Sequence, residues 1–526
     1  MDRRPPWVRI VIGALAIALG AAVLFRPTTS LGLLSILIGA GFVLTGVLEL
    51  ARVTREDGPT RFLRPAVAVL WVIAGILVLV YPEVTVRLIA VAVGVGLIVN
   101  GVIDVIAVFE KGRKADERAE LALLGVAGII FGVLALAWPD ITLLIVAVVF
   151  GARLILGGAA EILRAIRRRP SAAKAGGDRR GGWFRVIGAA LVLVLAVLAG
   201  AVSVALHKAS PVVDDFYAAP RDVPSEPGQL IRSEPFTREV PSDATAWRIL
   251  YTTRNGDGSP DIASGLVVVP KSGSGDWPVI DWDHGTTGYA QQCAPSLAGQ
   301  PWESGALFLL PQIIGHGWAL VATDYIGLGT PSPHPYLVGL PTAHASLDAV
   351  RAARQLTDAH LGQKTVVWGH SQGGGAALWT GAVADSYAPD VHLAGVAALA
   401  PASNLPALMR HLPDVTGGSI FASYVIGGYA SSYPDISVAR YVRPGVQTTL
   451  DRMKDRCLAE PGALVSVLTA LGLSKDPEIL STDPTTGSFG KHLEARTCPR
   501  RRSPLRSSSA RAPRTGSWCG RPRTNS

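Results

Sequence analysis

The stretch Thr365-Val366-Val367-Trp368-Gly369-His370-Ser371-Gln372-Gly373-Gly374 passes from an apolar, β-branched run into a pattern of small residues continued by Ala376, Ala377 and Ala382. Read as strand, tight turn and helix, it puts Ser371 on the turn. Residues without a Cβ two places before and after the serine, Gly369 and Gly373, let strand and helix come close enough for such a turn to form. The hydroxyl then stands at a helix N-terminus, open for nucleophilic attack, and the N–H of Gln372 points to the same spot as half of an oxyanion hole. A five-residue match is common by chance, and a glycine-rich turn with a surface serine is the bland alternative. The strand and helix patterns on either side favour the nucleophile.

Outward from this turn, strands are expected over 247–252, 262–269, 278–282, 318–323 and 393–399. A helix is expected over 343–360, where Leu347, Val350, Ala353 and Leu356 share one face. Such alternation predicts a mostly parallel sheet covered by helices, preceded by a Pro-rich linker over 211–241. Asp283-His284-Gly285-Thr286-Thr287-Gly288 directly follows a strand, where the second oxyanion donor belongs. The N–H of Thr286 is the candidate, with Thr287 a close rival. Asp324-Tyr325-Ile326-Gly327-Leu328-Gly329 follows the next strand. Asp324 reads as a capped turn, because in a sheet of this kind the carboxylate that orients the base comes after the nucleophile.

The three motifs in this order, His284 to Gly288, Asp324 to Gly329 and Gly369 to Gly374, resemble the secretory lipase family of actinobacteria and fungi over about 215–495. The resemblance implies an α/β-hydrolase that cleaves acyl esters with Ser371 as nucleophile. It also implies a mostly helical lid over about 400–490, containing Leu408, Phe421, Tyr424, Val425, Ile426, Tyr429 and Tyr433. An apolar insertion suits a cover over an acyl pocket, although core packing accounts for each residue singly.

A serine nucleophile needs a histidine to take its proton and a carboxylate to hold that histidine. After Ser371 the histidines are His392, His411 and His492, none in the loop after a final strand, and all read as surface or lid residues. His370 is too close in sequence to turn back onto the serine hydroxyl. The domain therefore reads as C-terminally incomplete. Residues 497–526, rich in Arg, Ser and Pro, read either as a disordered tail or, more sharply, as translated out of frame. With codon boundaries one base earlier, Ser507, Ser508 and Ser509 become apolar, as do Ser517, Trp518 and Cys519. Thr515 then permits Asp, Arg511 permits Gln and Ala512 permits Gly. The result is a strand, Gly-x-x-Asp and a second apolar run, which is similar to the family's pattern at its catalytic aspartate, with the histidine expected farther on.

The chain is 526 residues long, 49 % hydrophobic and 17 % charged, with a mean hydropathy of +0.34, too apolar for a wholly soluble protein. The net charge of +9 equals the nine arginines of 496–526, which holds no Asp, Glu or Lys, so a nucleic-acid surface is not indicated. Cys293, Cys457, Cys498 and Cys519 show no metal-ligand spacing, and neither metal nor cofactor is expected. With the globular part outside the membrane, Cys293 and Cys457 are free to pair.

Seven apolar stretches can span a bilayer: about 7–25, 31–50, 65–81, 86–108, 121–137, 141–163 and 184–206. The first six form three hairpins turning at Pro27, Pro82 and Pro139. Twelve residues after each proline stands Gly39, Gly94 or Gly151. Nineteen after stands Gly46, Gly101 or Gly158, and twenty-two after stands Glu49, Asp104 or Glu161. The glycines allow close helix contact, and the acids read as boundary residues in preference to a proton relay. This repeat resembles the HdeD-type family of small membrane proteins over about 1–165, an acid-stress family with no catalytic residues to carry over. Arg3, Arg4, Arg52, Arg55, Arg61, Arg64, Lys111, Arg113, Lys114 and the cations of 164–185 fall on one side of the spans, which is cytoplasmic by the positive-inside rule. The seventh span then delivers the remainder outside. A cleaved signal peptide over 1–25 is the rival reading, weakened by the lack of a small-x-small cleavage site.

The expected architecture is thus an α-helical transmembrane bundle of about seven spans in three hairpin repeats (1–165), a basic linker and seventh helix (166–208), an α/β-hydrolase domain with a helical lid (209–495) and the tail (496–526). The expected function is a membrane-anchored, extracytoplasmic lipase or esterase acting on lipid or other acyl esters, impaired by loss of its acid and base. The alternative is a non-catalytic envelope-stress protein with a degenerate hydrolase domain.

Overall fold

The computed structural model describes residues 6–25, 81–109, 113–142, 179–208, 211–415, 417–473 and 479–495, with scattered residues within 43–80 and 145–166. The chain divides into two compact units. One is Met1–His207 with Val442–Arg452 and Leu468–Ile479; the other is Lys208–Tyr441 with Met453–Val467 and Leu480–Ser526.

The first unit contains helices α1 (Pro6–Phe25), α2 (Pro82–Ala107), α3 (Ala115–Ala137) and α4 (Arg179–Lys208). Pro82 opens α2 at a position where a helix leaves its N–H unpaired, so the missing donor costs nothing. Among the described residues two stretches, Ala115–Ala137 and Trp183–Leu206, are long and apolar enough to cross a bilayer. The expected stretches 7–25 and 86–108 are helical, while 31–50, 65–81 and 141–163 lie largely outside the described residues, so two of the seven expected stretches meet that measure of length and apolarity. The repeat glycines do make close contacts. A Cβ on Gly101, nineteen residues after Pro82, would come 2.5 Å from the carbonyl oxygen of Gly125, fourteen before Pro139. A Cβ on Gly158, nineteen after Pro139, would come 2.5 Å from the oxygen of Gly13, fourteen before Pro27. Without Cβ atoms the backbones approach to a distance that favours dispersion contacts in a lipid environment. Of the repeat acids, Asp104 is half-buried in α2; Glu49 and Glu161 lie outside the described residues.

The second unit is built on a seven-stranded sheet: β1 (Leu230–Phe236), β2 (Ala244–Arg254), β3 (Pro260–Pro270), β4 (Trp277–Asp283), β5 (Ala319–Ile326), β6 (Leu361–His370) and β7 (Leu393–Leu399). The spatial order is β1-β2-β3-β5-β4-β6-β7. The joins from β1 through β3 to β5 are antiparallel, and those from β5 through β4 and β6 to β7 are parallel. The sheet is therefore mixed, not mostly parallel. The segment expected to be a Pro-rich linker supplies the edge strand β1, and the expected helix over 343–360 is α5, Gly339–Ala353.

Side chains alternate across the sheet with the period of two that a strand imposes. Val267, Val279 and Val321 pack with Leu347 and Val350 of α5 on one face. Leu266, Val268, Ile280 and Leu320 pack with Trp302, Leu310 and Ile313 on the other. Helix α6 (Gln372–Tyr387) follows β6 immediately. Beyond β7 the chain is helical: α7 (Leu405–His411), α8 (Gly418–Ser432), α9 (Pro444–Lys454), α10 (Gly462–Leu473) and α11 (Gly487–Ala495). The chain reaches β5 on one side of β4 and returns to β6 on the other. The carboxyl ends of β4 and β6 thus frame the crevice where doubly wound sheets place their ligands.

Candidate active site

Ser371 stands at that crevice. It has φ 58° and ψ −116°, a conformation that L residues rarely adopt, between the end of β6 and the first turn of α6. Three backbone hydrogen bonds hold it there. Its N–H donates to Leu399 O (2.9 Å), and its carbonyl accepts from Gly375 N (3.1 Å) and Ala402 N (3.0 Å). The glycines of the turn have no room for a Cβ. One on Gly369 would collide with the carbonyl of Gly373, and one on Gly373 with the carbonyl of Asp283, on β4. The side chain of Ser371 is half-buried, and among the described residues nothing hydrogen-bonds its hydroxyl. Gln372, the first residue of α6, is buried.

Asp283 pairs with Gly369 in the parallel register of β4 and β6, so the loop from His284 lies beside the serine turn. A Cβ on Gly285 would lie 3.5 Å from His370 Nδ1. The N–H of Gly285 is used by Gly305 O (3.1 Å). Thr286 is half-buried and shares a hydrogen bond with Tyr336 through its hydroxyl (2.8 Å). Thr287 is buried. Its hydroxyl donates to Cys293 O (2.8 Å), and its carbonyl accepts from Leu458 N (2.7 Å). Cys293 and Cys457 form a disulfide, the pairing for which the sequence left them free. Cys498 and Cys519 lie outside the described residues.

His284 is buried with Nδ1 2.6 Å from Gly285 O and Nε2 3.3 Å from Asp324 O, and burial holds it down to about 4, so it is neutral. Asp324 accepts from Ser264 Oγ (2.6 Å), Ser296 Oγ (2.5 Å) and Ser296 N (2.9 Å), tying β3, β5 and the loop around 296 together. Burial raises it to about 6. It is a clamp between distant segments and not the cap of its own turn that the sequence suggests. Of the later histidines, His411 is exposed beside Asp414 (3.5 Å), and His392 adopts a left-handed turn before β7. His492 lies 3.1 Å from each carboxylate oxygen of Asp435 and stacks on Tyr433. The described cavity of about 530 Å³ is lined by Pro211, Phe236, Arg238, Arg248 and Leu297 among others and includes no residue of the serine turn, so it is not an acyl pocket over Ser371.

Two residues absent from the sequence reading touch the site. His334, buried, meets the side chain of Gln372, and Tyr336 meets Thr286. Their segment, Pro331 to Val338, carries no periodic pattern; its signal is a histidine held between Pro333 and Pro335.

Below the turn, Asp281 and Asp283 are buried on β4. Asp281 accepts from Ser346 Oγ (2.7 Å), and its other oxygen has no partner among the described residues, nor has either oxygen of Asp283. Burial pushes Asp281 up to about 8; burial, and then the charge of Asp281, push Asp283 up. With folded-state values above the unfolded one of about 4, the native state keeps protons that the unfolded chain releases. Stability is then full below about pH 4 and declines as pH rises toward 8. Between pH 5 and pH 8 the unfolding free energy should fall by about 4 kcal/mol from Asp281 alone. Asp281→Asn, which keeps the shape of the protonated acid, should flatten the decline; thermal melting across that range in both proteins checks it, and equal slopes would refute the assignment.

The order of strands, the strained serine and the absent Cβ atoms on either side of it together describe a tight strand–turn–helix junction with Ser371 on the turn. Residues 304–471 match the secretory lipase family. That match is preceded by three matches to a short repeat of unknown function, at 11–65, 66–125 and 123–200, in agreement with the threefold repeat. Relatives of the lipase domain include Lipase 6 of Candida albicans, 25 % identical over 294 residues, covering 51 % of this chain and 61 % of that protein. A secreted triacylglycerol lipase of Malassezia globosa is 30 % identical over 250 residues, covering 43 % and 51 %. The chain thus spans about half to three-fifths of the length of these curated relatives. Among solved structures, Candida antarctica lipase A in its closed state is similar, with a TM-score of 0.48 and 22 % identity over 55 % of this chain and 69 % of that one.

Proposed function

We propose that this protein is a membrane-anchored lipase or esterase that hydrolyses acyl esters outside the cytoplasm, with Ser371 as nucleophile. The observation that carries the reading is the strained Ser371 between Gly369 and Gly373, neither of which has room for a Cβ. In the reaction Ser371 Oγ adds to the ester carbonyl carbon, and the N–H groups of Gln372 and Thr286 receive the charge that develops on the oxygen. The alcohol leaves and water then releases the acid from the acyl-serine. Thr286, half-buried, suits the second donor better than the buried Thr287 because an ester can reach it more readily. The disulfide supports an extracytoplasmic domain, since such bonds persist in oxidising compartments. Helices α7 and α8 belong to the lid, with Tyr424 of α8 stacked on Tyr289.

A second reading, a degenerate non-catalytic domain, draws on the unpartnered serine hydroxyl and on His492 being engaged by Asp435. The triad acid and base are assigned to the sequence from 497 onward read one base earlier; residues 496–526 lie outside the described residues. A membrane-impermeant fluorophosphonate applied to intact cells tests both readings. Labelling of the chain as encoded or of its frame-restored form, lost in Ser371→Ala, supports the enzyme. Absence of labelling in both forms supports the second reading.

A further inference from the structure

We infer that His334 and Tyr336 are positioning residues that brace the two halves of the oxyanion hole against each other, His334 through Gln372 and Tyr336 through Thr286. The inference rests on Ser371 being the nucleophile. The two donors come from distant parts of the chain, one at the start of α6 and one after β4, and no covalent connection fixes their spacing. The three-residue segment His334-Pro335-Tyr336 touches the side chains of both.

The direction of each bond follows from chemistry. His334 Nδ1 lies 2.8 Å from Ile326 O, and a carbonyl only accepts, so Nδ1 carries the proton. The ring is buried, which penalises its charged form and lowers it to about 3, so Nε2 keeps a lone pair. Gln372 Nε2 stands 3.2 Å from that nitrogen and donates to it, which fixes the orientation of the amide. Tyr336, also buried, shares a hydrogen bond of 2.8 Å with the hydroxyl of Thr286.

The brace is itself held. His334 stacks on Tyr325 and meets Tyr289 and Tyr336 edge-on, and Tyr336 N–H donates to His334 O (2.9 Å). A Cβ on Gly428 of α8 would come 2.6 Å from Tyr336 N, so the segment is pressed from the other side as well. Gln372 anchors at its side chain and offers its backbone N–H to the site. A residue pinned at both ends cannot drift as the oxyanion forms, and donor placement is where small displacements cost most in rate.

The test uses the full chain in detergent and a fluorophosphonate titrated against labelling rate. Tyr336→Phe and Gln372→Met should each lower the maximal labelling rate about tenfold while the half-saturating concentration stays within about twofold. Tyr336→Phe should add nothing in a Thr286→Val background, where the hydroxyl that Tyr336 meets is gone. Unchanged maximal rates, or a loss confined to half-saturation, would overturn the brace. If neither the chain as encoded nor its frame-restored form is labelled at Ser371, it is the functional reading that fails, and the brace is decided separately by NMR of ¹⁵N-histidine-labelled protein. His334, assigned by its absence in His334→Phe, should be a neutral Nδ1–H ring at pH 7 whose Nε2 signal moves in Gln372→Met. A charged ring, an Nε2–H ring or an unmoved signal overturns it.

Discussion

Gly373→Ala should destabilise the second unit by more than about 3 kcal/mol, beyond the usual cost of an overpacked site, because the methyl has only backbone to displace. A Cβ there collides with the carbonyl of Asp283 and would lie 2.6 Å from His284 O. No rotamer change relieves either contact, so β4 would have to retreat from β6 and take the loop bearing Thr286 with it. Gly395→Ala is the internal control. It lies on the neighbouring strand β7, and its Cβ would meet only Val366 Cγ1 at 3.8 Å, ordinary contact, so its effect should stay within about 1 kcal/mol. Melting of the two variants in the same detergent separates the cases, and matching curves would mean that the turn is not as tight as described.

Loss of the Cys293–Cys457 disulfide should cost about 5 kcal/mol on the chain-entropy argument, because it closes a loop of 164 residues. Reduction or Cys457→Ser should therefore lower the melting midpoint by about 10 °C. The bond also has a local consequence. Leu458 N–H donates to Thr287 O, Gln292 Nε2 donates to Asp455 O (2.8 Å), and Lys454 lies over the ring of Tyr289. Reduction should thus speed hydrogen exchange at Leu458 before global unfolding, as the loop bearing Thr287 and the segment around 455 part. Equal melting and equal exchange in both redox states would show that packing alone holds them.

The serine turn was legible because steric demand writes itself into the sequence: where two backbones nearly touch, only glycine serves, and Gly369 and Gly373 advertise that. The mixed sheet was misread although its signal was present. The turn between Arg254 and Pro260 is too short for the crossover that parallel neighbours need, so β2 and β3 had to be antiparallel. Strand β1 was hidden by Pro235, which a strand at the sheet's edge tolerates. His334 and Tyr336 could not be found from the sequence, because their partners Gln372 and Thr286 meet them only through the tertiary fold and no spacing rule links the four.

The helix contacts in the first unit carry one more implication. Gly101 with Gly125 joins the second half of copy two to the first half of copy three, and Gly158 with Gly13 joins the second half of copy three to the first half of copy one, at the same offsets from the prolines. Among the described residues copy three therefore has both of its halves in use, one against copy two and one against copy one. Unlike the terminal unit of a solenoid, which can gain a neighbour by duplication, it could accept a fourth copy only by breaking an interface already made.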